Sequence, residues 1–221
     1  MPTRDAAPVE AETPEPPRDC PLCPRLVAYR AANAAANPGW FNGPAPSFGS
    51  DDARLLVAGL APGRTGANRT GRPFTGDHAG VLLYATLKKA GFATGTYDPN
   101  GNDDLALVDC MISNAVRCAP PGNKPETSEE ANCRPFLNRR IAALPRLKVI
   151  VTLGDVSRRN VLKALGLKAS AGLPGHGTEF RAGPYVVLNS YHCSRLNTNT
   201  GRLTPAMFEA VFARARVLLD G

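Results

Sequence analysis

The chain has 221 residues, 43% of them apolar, 20% charged and 6% aromatic, with 26 Lys and Arg against 19 Asp and Glu. These proportions fit an ordinary soluble globular protein of one domain or at most two. No window approaches 18 consecutive apolar residues and the start lacks the basic and apolar stretches of an export signal, so neither a bilayer span nor secretion is expected and the protein is read as cytoplasmic.

Residues 1 to 19 carry Pro2, Pro8, Pro14, Pro16 and Pro17 and five acidic side chains against Arg4 and Arg18, the composition of a disordered acidic leader. A single domain is expected over residues 20 to 221, more basic than the +7 of the whole chain, which favours a polyanionic partner such as nucleic acid. LVAYRAANAAAN (26 to 37) is Ala-rich and free of breakers until Pro38, so it reads as a helix. Four short apolar runs follow: RLLVAGL (54 to 60), LALVDC (105 to 110), KVIVTLG (148 to 154) and PYVVLNS (184 to 190). Each is succeeded by a stretch with apolar residues three and four apart. That rhythm predicts an α/β fold with a buried parallel sheet covered by helices. Open parallel sheets bind ligands beyond the carboxyl ends of their strands, and three long polar segments fall there: APGRTGANRTGRPFTGDHAG, ISNAVRCAPPGNKPETSEEANC and YHCSRLNTNTGRLT.

In the first segment, Gly66 and Gly71 have the spacing of a phosphate-binding loop, but Arg72 and Pro73 stand where that loop needs Lys and a hydroxyl. What remains is a backbone that can approach a ligand closely, with Arg64, Arg69 and Arg72 as charge. Asp77, taken alone, is a helix N-cap, and Phe74 alone is core. His192 follows the last strand and is succeeded by Ser194, Arg195, Asn197, Thr198, Asn199, Thr200 and Arg202, polar groups suited to a phosphodiester backbone. His78 and His176 lack that company and read as structural. Cys110 reads as a small core residue. Cys20 and Cys23 form C-x-x-C, while Cys118 and Cys133 bracket a Pro- and Gly-bearing loop. Four thiolates from two distant segments can enclose zinc or an iron–sulfur cluster, and the long gap in the second pair leans toward the cluster.

GLAPGRTGANRTGRPFTGD (59 to 77), NAVRCAPPGNKP (114 to 125) and the His192 segment through NTNTGRLT resemble family 5 uracil-DNA glycosylases, the iron–sulfur branch of that superfamily, from about Cys20 to Leu219. The resemblance implies a three-layer α/β/α sandwich on a four-stranded parallel sheet, and a [4Fe–4S] cluster held by Cys20, Cys23, Cys118 and Cys133 in a structural role. It also implies a monofunctional, monomeric enzyme that removes uracil, and a wider set of altered bases such as hypoxanthine, from DNA. By the same resemblance, Phe74 stacks the extruded base and Asn114 reads its Watson–Crick edge. His192 meets the charge developing on O2, and Asp77 orients the water and steadies the sugar cation. Ala61 stands where other branches place a catalytic polar residue, and Gly63 where the strictly uracil-specific branch has Tyr, which predicts a roomier pocket. Two residues depart from the family: Cys193 replaces the Pro of the usual His-Pro-Ser, and Arg195 stands where another Pro is common, which suggests a looser, more cationic DNA-facing loop. The rival reading is a non-catalytic DNA-binding module of the same fold.

Overall fold

The computed structural model describes residues 13–221. The leader's first twelve residues lie outside the described residues. The described residues form eight strands and seven α-helices: α1 Pro24–Ala36, β1 Phe48–Gly49, β2 Leu55–Gly59, α2 Ala67–Thr70, α3 His78–Lys89, β3 Ala93–Thr94, β4 Ala106–Leu107, β5 Cys110–Asn114, α4 Thr127–Ala142, β6 Val149–Leu153, α5 Asp155–Ala164, β7 Glu179–Ala182, β8 Tyr185–Ser190, α6 Arg195–Asn199 and α7 Pro205–Asp220. The main sheet runs β1-β5-β2-β6-β8-β7. Its inner four strands are mutually parallel, as the rhythm of apolar runs predicts, and β1 and β7 add antiparallel edges.

Alternation along the buried strands feeds two cores. Leu55 and Val57 of β2, with Ile112, Val151 and Leu188, pack under α3 and α7 through Leu83, Leu87, Phe208 and Phe212. Leu56 and Ala58, with Met111, Ile150 and Val187, face α4 and α5 through Leu137, Ile141 and Val161. Both faces of the four inner strands are covered, which is why these strands are buried along nearly their whole length and mostly apolar rather than alternating.

The second strand lies further along the chain than LALVDC suggests. Ala106 and Leu107 instead form a separate two-stranded ribbon with Ala93 and Thr94. Asp109 then turns the chain at φ +52°, its carboxylate accepting from the Arg54 backbone N–H at 2.9 Å and from Arg54 Nε at 2.7 Å. The parallel strand therefore begins at Cys110, and its register pairs Gly59 with Asn114.

Part of the Pro-rich segment before residue 20 contacts the folded body. Glu15 accepts from Arg117 at 3.0 Å, from Arg140 at 2.6 Å and from the Ser47 backbone N–H at 3.1 Å. Arg117 is 1% exposed, so its charge is tolerable because that carboxylate meets it. Burial by itself would push the Glu15 carboxyl up, but Arg117, Ser47 and Arg140 outweigh it and hold the group below the usual carboxylate range. Its contribution to stability is present above the unfolded pKa and is lost as pH falls through the depressed folded value. Glu15→Gln should therefore cost about 2–3 kcal/mol at neutral pH in denaturant unfolding, and the gap from wild type should close on acidification.

Candidate functional site

Beyond the carboxyl ends of β2, β5 and β8 opens a cleft of about 730 Å³. Its walls include Ala61, Gly63, Phe74, Asp77, Asn114, His192 and Arg195. Every side chain singled out from the sequence as catalytic or base-binding thus faces one space.

Asn114 ends β5 and is 3% exposed, with its Oδ1 lacking a hydrogen-bond partner among the described residues. A buried acceptor without a partner costs about 1–3 kcal/mol, a cost that an N–H reaching it from the cleft Asn114 lines would remove. Phe74 is reached from the other side. A Cβ on Gly59 would lie 2.3 Å from Asn114 Oδ1 and 2.8 Å from Phe74 Cζ, so the amide and the ring meet over a backbone that has no side chain. The Phe74 and His192 rings stack at 6.2 Å between centroids.

Phe74 sits at φ +57°, a left-handed conformation that costs a non-glycine residue about 1–2 kcal/mol. Its surroundings impose it. Tyr84 Oη donates to the Pro73 carbonyl at 2.6 Å and Tyr97 Oη to the Phe74 carbonyl at 3.1 Å. Burial pushes Tyr97 up to about 12 and raises Tyr84 as well, so both phenols remain donors. Arg72 secures the same loop through a bidentate pair with Asp103, 2.6 Å on each arm. The structure therefore corrects the reading of Arg72 as loop charge. Arg69 is likewise engaged, with the Thr65 carbonyl and Asn100. Arg64 lines the cleft, its guanidinium 5.6 Å above the Trp40 ring.

Asp77 joins two roles that looked like alternatives. Its Oδ1 accepts from the Gly80 N–H at 2.9 Å and caps α3, which is the ordinary duty of an Asp at that position. Its Oδ2 looks toward the Gly63–Gly66 turn, where Cβ atoms on Gly63 and Gly66 would lie 3.8 and 3.4 Å away. Burial pushes this carboxyl up, against the backbone bonds to Gly80 and Ala79, making it a better proton acceptor than an exposed Asp. Burial holds His192 below the usual imidazole range, so the ring is neutral at pH 7 and keeps one N–H to donate.

The segment after His192 is tied down. Cys193 is fully buried with its thiol 3.6 Å from the Ala79 carbonyl, Asn197 Nδ2 donates to the His192 carbonyl at 2.8 Å, and Ser194 caps α6. The looseness expected from losing proline is offset by these bonds. His78, read as structural, lies on the cleft and bonds Thr198 Oγ1 at 3.1 Å, joining α3 to α6. Two further residues escaped the sequence reading: Asn123, at φ +57° on the cleft wall, and Leu196, 72% exposed on α6 beside Arg195. An isolated leucine in a polar segment gives no periodicity to find, and its exposure is visible only in three dimensions.

On the far side of the loop after β5, Cys20, Cys23, Cys118 and Cys133 line a single apolar pocket with Leu26, Val116 and Phe136. The two cysteine segments are brought together by Arg25 of α1, which pairs with the buried Glu129 of α4 at 2.7 Å. Donors aim at three of the sulfurs: Arg30 at Cys118 (3.6 Å), the Arg117 N–H at Cys133 (3.3 Å) and Asn132 at Cys23 (3.8 Å). Burial pushes Cys118 up to about 11 and Cys133 up to about 12, so the free thiols are neutral. Among the described residues no three His, Cys, Asp or Glu side chains are grouped so as to hold a metal ion. The cysteines stand around the pocket wall instead.

The sequence profile described as "Uracil DNA glycosylase superfamily" matches residues 46–216. A "Type-5 uracil-DNA glycosylase" from Thermus thermophilus is 43% identical over 206 residues, covering 90% of this chain and 93% of that protein. Proteins of the same description from Mycobacterium tuberculosis (40% identical; 90% of this chain, 78% of that one) and Pyrobaculum aerophilum (38%; 89% and 88%) are also similar to it.

Proposed function

The chain belongs to the uracil-DNA glycosylase superfamily, and we propose that it is a DNA-repair enzyme that hydrolyses the N-glycosidic bond of uracil in DNA and leaves an abasic site. The observation that carries the reading is the unpartnered Asn114 Oδ1 beside the Phe74 ring in the cleft. Uracil offers an N–H at N3 and an acceptor at O4, matching the two halves of that amide. Cytosine presents the reverse and leaves both buried groups unpaired, which is a strong source of rejection. The base must leave the duplex to reach them, stacking on Phe74. Leu196, exposed beside Arg195, suits an apolar wedge that occupies the gap left in the stack.

Hydrolysis adds water oxygen to C1′ while the N1–C1′ electron pair departs with the base. The neutral His192 donates to uracil O2, where that charge collects. Asp77 Oδ2 holds the water, takes its proton as the bond to C1′ forms and faces the cationic sugar, while Oδ1 stays on the helix cap. Asp77→Asn preserves the cap, so the fold should be kept while single-turnover excision falls on the order of 100-fold with DNA affinity retained. Because burial raises the Asp77 pKa, the wild-type rate should fall on acidification at a pH above that of an ordinary carboxylate, and the Asn variant should lack this limb. An Asn variant within a few-fold of wild type would remove Asp77 from the mechanism.

The substrate range extends beyond uracil in this reading. A Cβ at Gly63 would meet Asp77 Oδ2 at 3.8 Å and the Gly66 nitrogen at 3.9 Å, ordinary van der Waals distances, so the cleft wall can take a side chain there and glycine leaves that volume to the ligand. Hypoxanthine in DNA should be excised measurably, and Gly63→Tyr should restrict the enzyme toward uracil; a wild type confined to uracil would count against the roomy cleft.

Cys20, Cys23, Cys118 and Cys133 are proposed to hold a [4Fe–4S] cluster. The support is the donor set: four thiols on one apolar pocket, with Arg30, Asn132 and a backbone N–H directed at sulfur to offset the charge of thiolate ligands. Bound there, the cluster would serve structure, bracing the loop that follows Asn114. It also requires reduced thiols, as a reducing compartment such as the cytoplasm supplies. Purified protein should be brown with about four iron atoms per chain, and Cys118→Ser should lose iron and solubility together; colourless protein with stoichiometric zinc would overturn the assignment.

A further inference from the structure

The two most exposed large apolar side chains among the described residues are Leu173, at 73%, and Leu196, at 72%. They lie in different segments, Leu173 in the loop between α5 and β7 and Leu196 in α6. Single exposed leucines are common and carry no message. These two, however, adjoin one feature. A second cleft of about 480 Å³ is lined by Ser190, Tyr191 and His192, by Pro174 and Gly175, which follow Leu173, and by Asn197, which follows Leu196. His192 belongs to this cleft and to the base-binding cleft alike.

The loop that presents Leu173 is well anchored. Its carbonyl accepts from Thr178 Oγ1 at 2.9 Å and from Asn189 Nδ2 at 3.3 Å, and Asn189 is itself buried in β8 and held by Thr152 at 2.8 Å. Arg158 Nη1 donates to the Ala171 carbonyl at 3.3 Å, two residues before the leucine. The cleft can also receive a polyanion. Arg202 lies over the Tyr191 ring at 4.5 Å, and the Asp155 carboxylate is matched by Arg158 at 3.1 Å and Arg159 at 3.5 Å.

We propose that this second cleft receives the DNA flanking the extruded nucleotide and that Leu173 is a second apolar prong, acting with Leu196. The proposal rests on the glycosylase reading above. Extruding a base breaks its stacking on both neighbours, at a cost of a few kcal/mol. Apolar side chains inserted at the vacated step offset that cost. Leu173 and Leu196 each stand next to residues that line this cleft together with His192, and the gain is realised only where a stacked, paired base has to be removed.

The test compares single-turnover excision from a uracil–adenine pair in a duplex with excision from the same sequence holding the uracil in an unpaired bubble. Leu173→Ala should slow the paired substrate on the order of tenfold and the bubble less than about twofold, and Leu173→Met should restore the paired rate because apolar bulk is what the site requires. 2-Aminopurine placed beside the uracil should brighten less on binding of the Ala variant than of wild type. Equal losses on both substrates, or an unchanged paired rate, would overturn the prong. A wild-type protein that excises uracil from neither substrate would overturn the glycosylase reading, and the prong with it, an outcome told apart by the wild-type control alone.

Discussion

At the carboxyl end of β2 the backbone must pass within touching distance of both an aromatic ring and a side-chain amide, and that contact governs the cleft. Parallel pairing sets Gly59 opposite Asn114, and the loop after β2 returns Phe74 to the same point. A methyl group on residue 59 would occupy the space of both. The loop then has to hold Phe74 in a left-handed conformation, which Tyr84, Tyr97 and the Arg72–Asp103 pair enforce from outside the cleft. Gly80 completes the arrangement, because a Cβ there would collide with the Phe74 carbonyl at 1.8 Å. A ring fixed in this way needs no ordering to receive the base proposed to stack on it, so little of the binding energy would be consumed in positioning it.

Structural and chemical duties are combined rather than separated around this point. Asp77 uses one oxygen to start α3 and leaves the other toward the glycine turn, so the helix itself orients the carboxylate. Across the cleft, Cys193 and His78 bind the His192 segment to the first turn of the same helix. The two groups proposed for opposite ends of the breaking bond therefore share one rigid support.

Much of this was readable from the residues. Buried parallel strands are continuous apolar runs, so three of the four inner strands and the five long helices stand out by pattern. The fourth was displaced because Ser113 and Asn114 are polar yet fully inside the sheet, while the more apolar LALV leads only to a ribbon. The edge strands β1 and β7 lack an apolar run because one side of each is uncovered. The cleft residues could be located because strand ends and unusual polar clusters coincide. What the sequence could not reveal was pairing at a distance: that Asp103 neutralises Arg72, or that Glu15 of a Pro-rich segment answers a buried arginine a hundred residues away.

The unmet acceptor on Asn114 has a consequence for anyone who tries to harden this protein. The resting fold carries a penalty at residue 114 that an apolar side chain of similar shape would abolish, so heat tolerance and the base discrimination proposed for Asn114 pull this position in opposite directions. A selection that rewards survival at high temperature alone would be drawn to that replacement, and its winners would be robust proteins that no longer tell one pyrimidine from another.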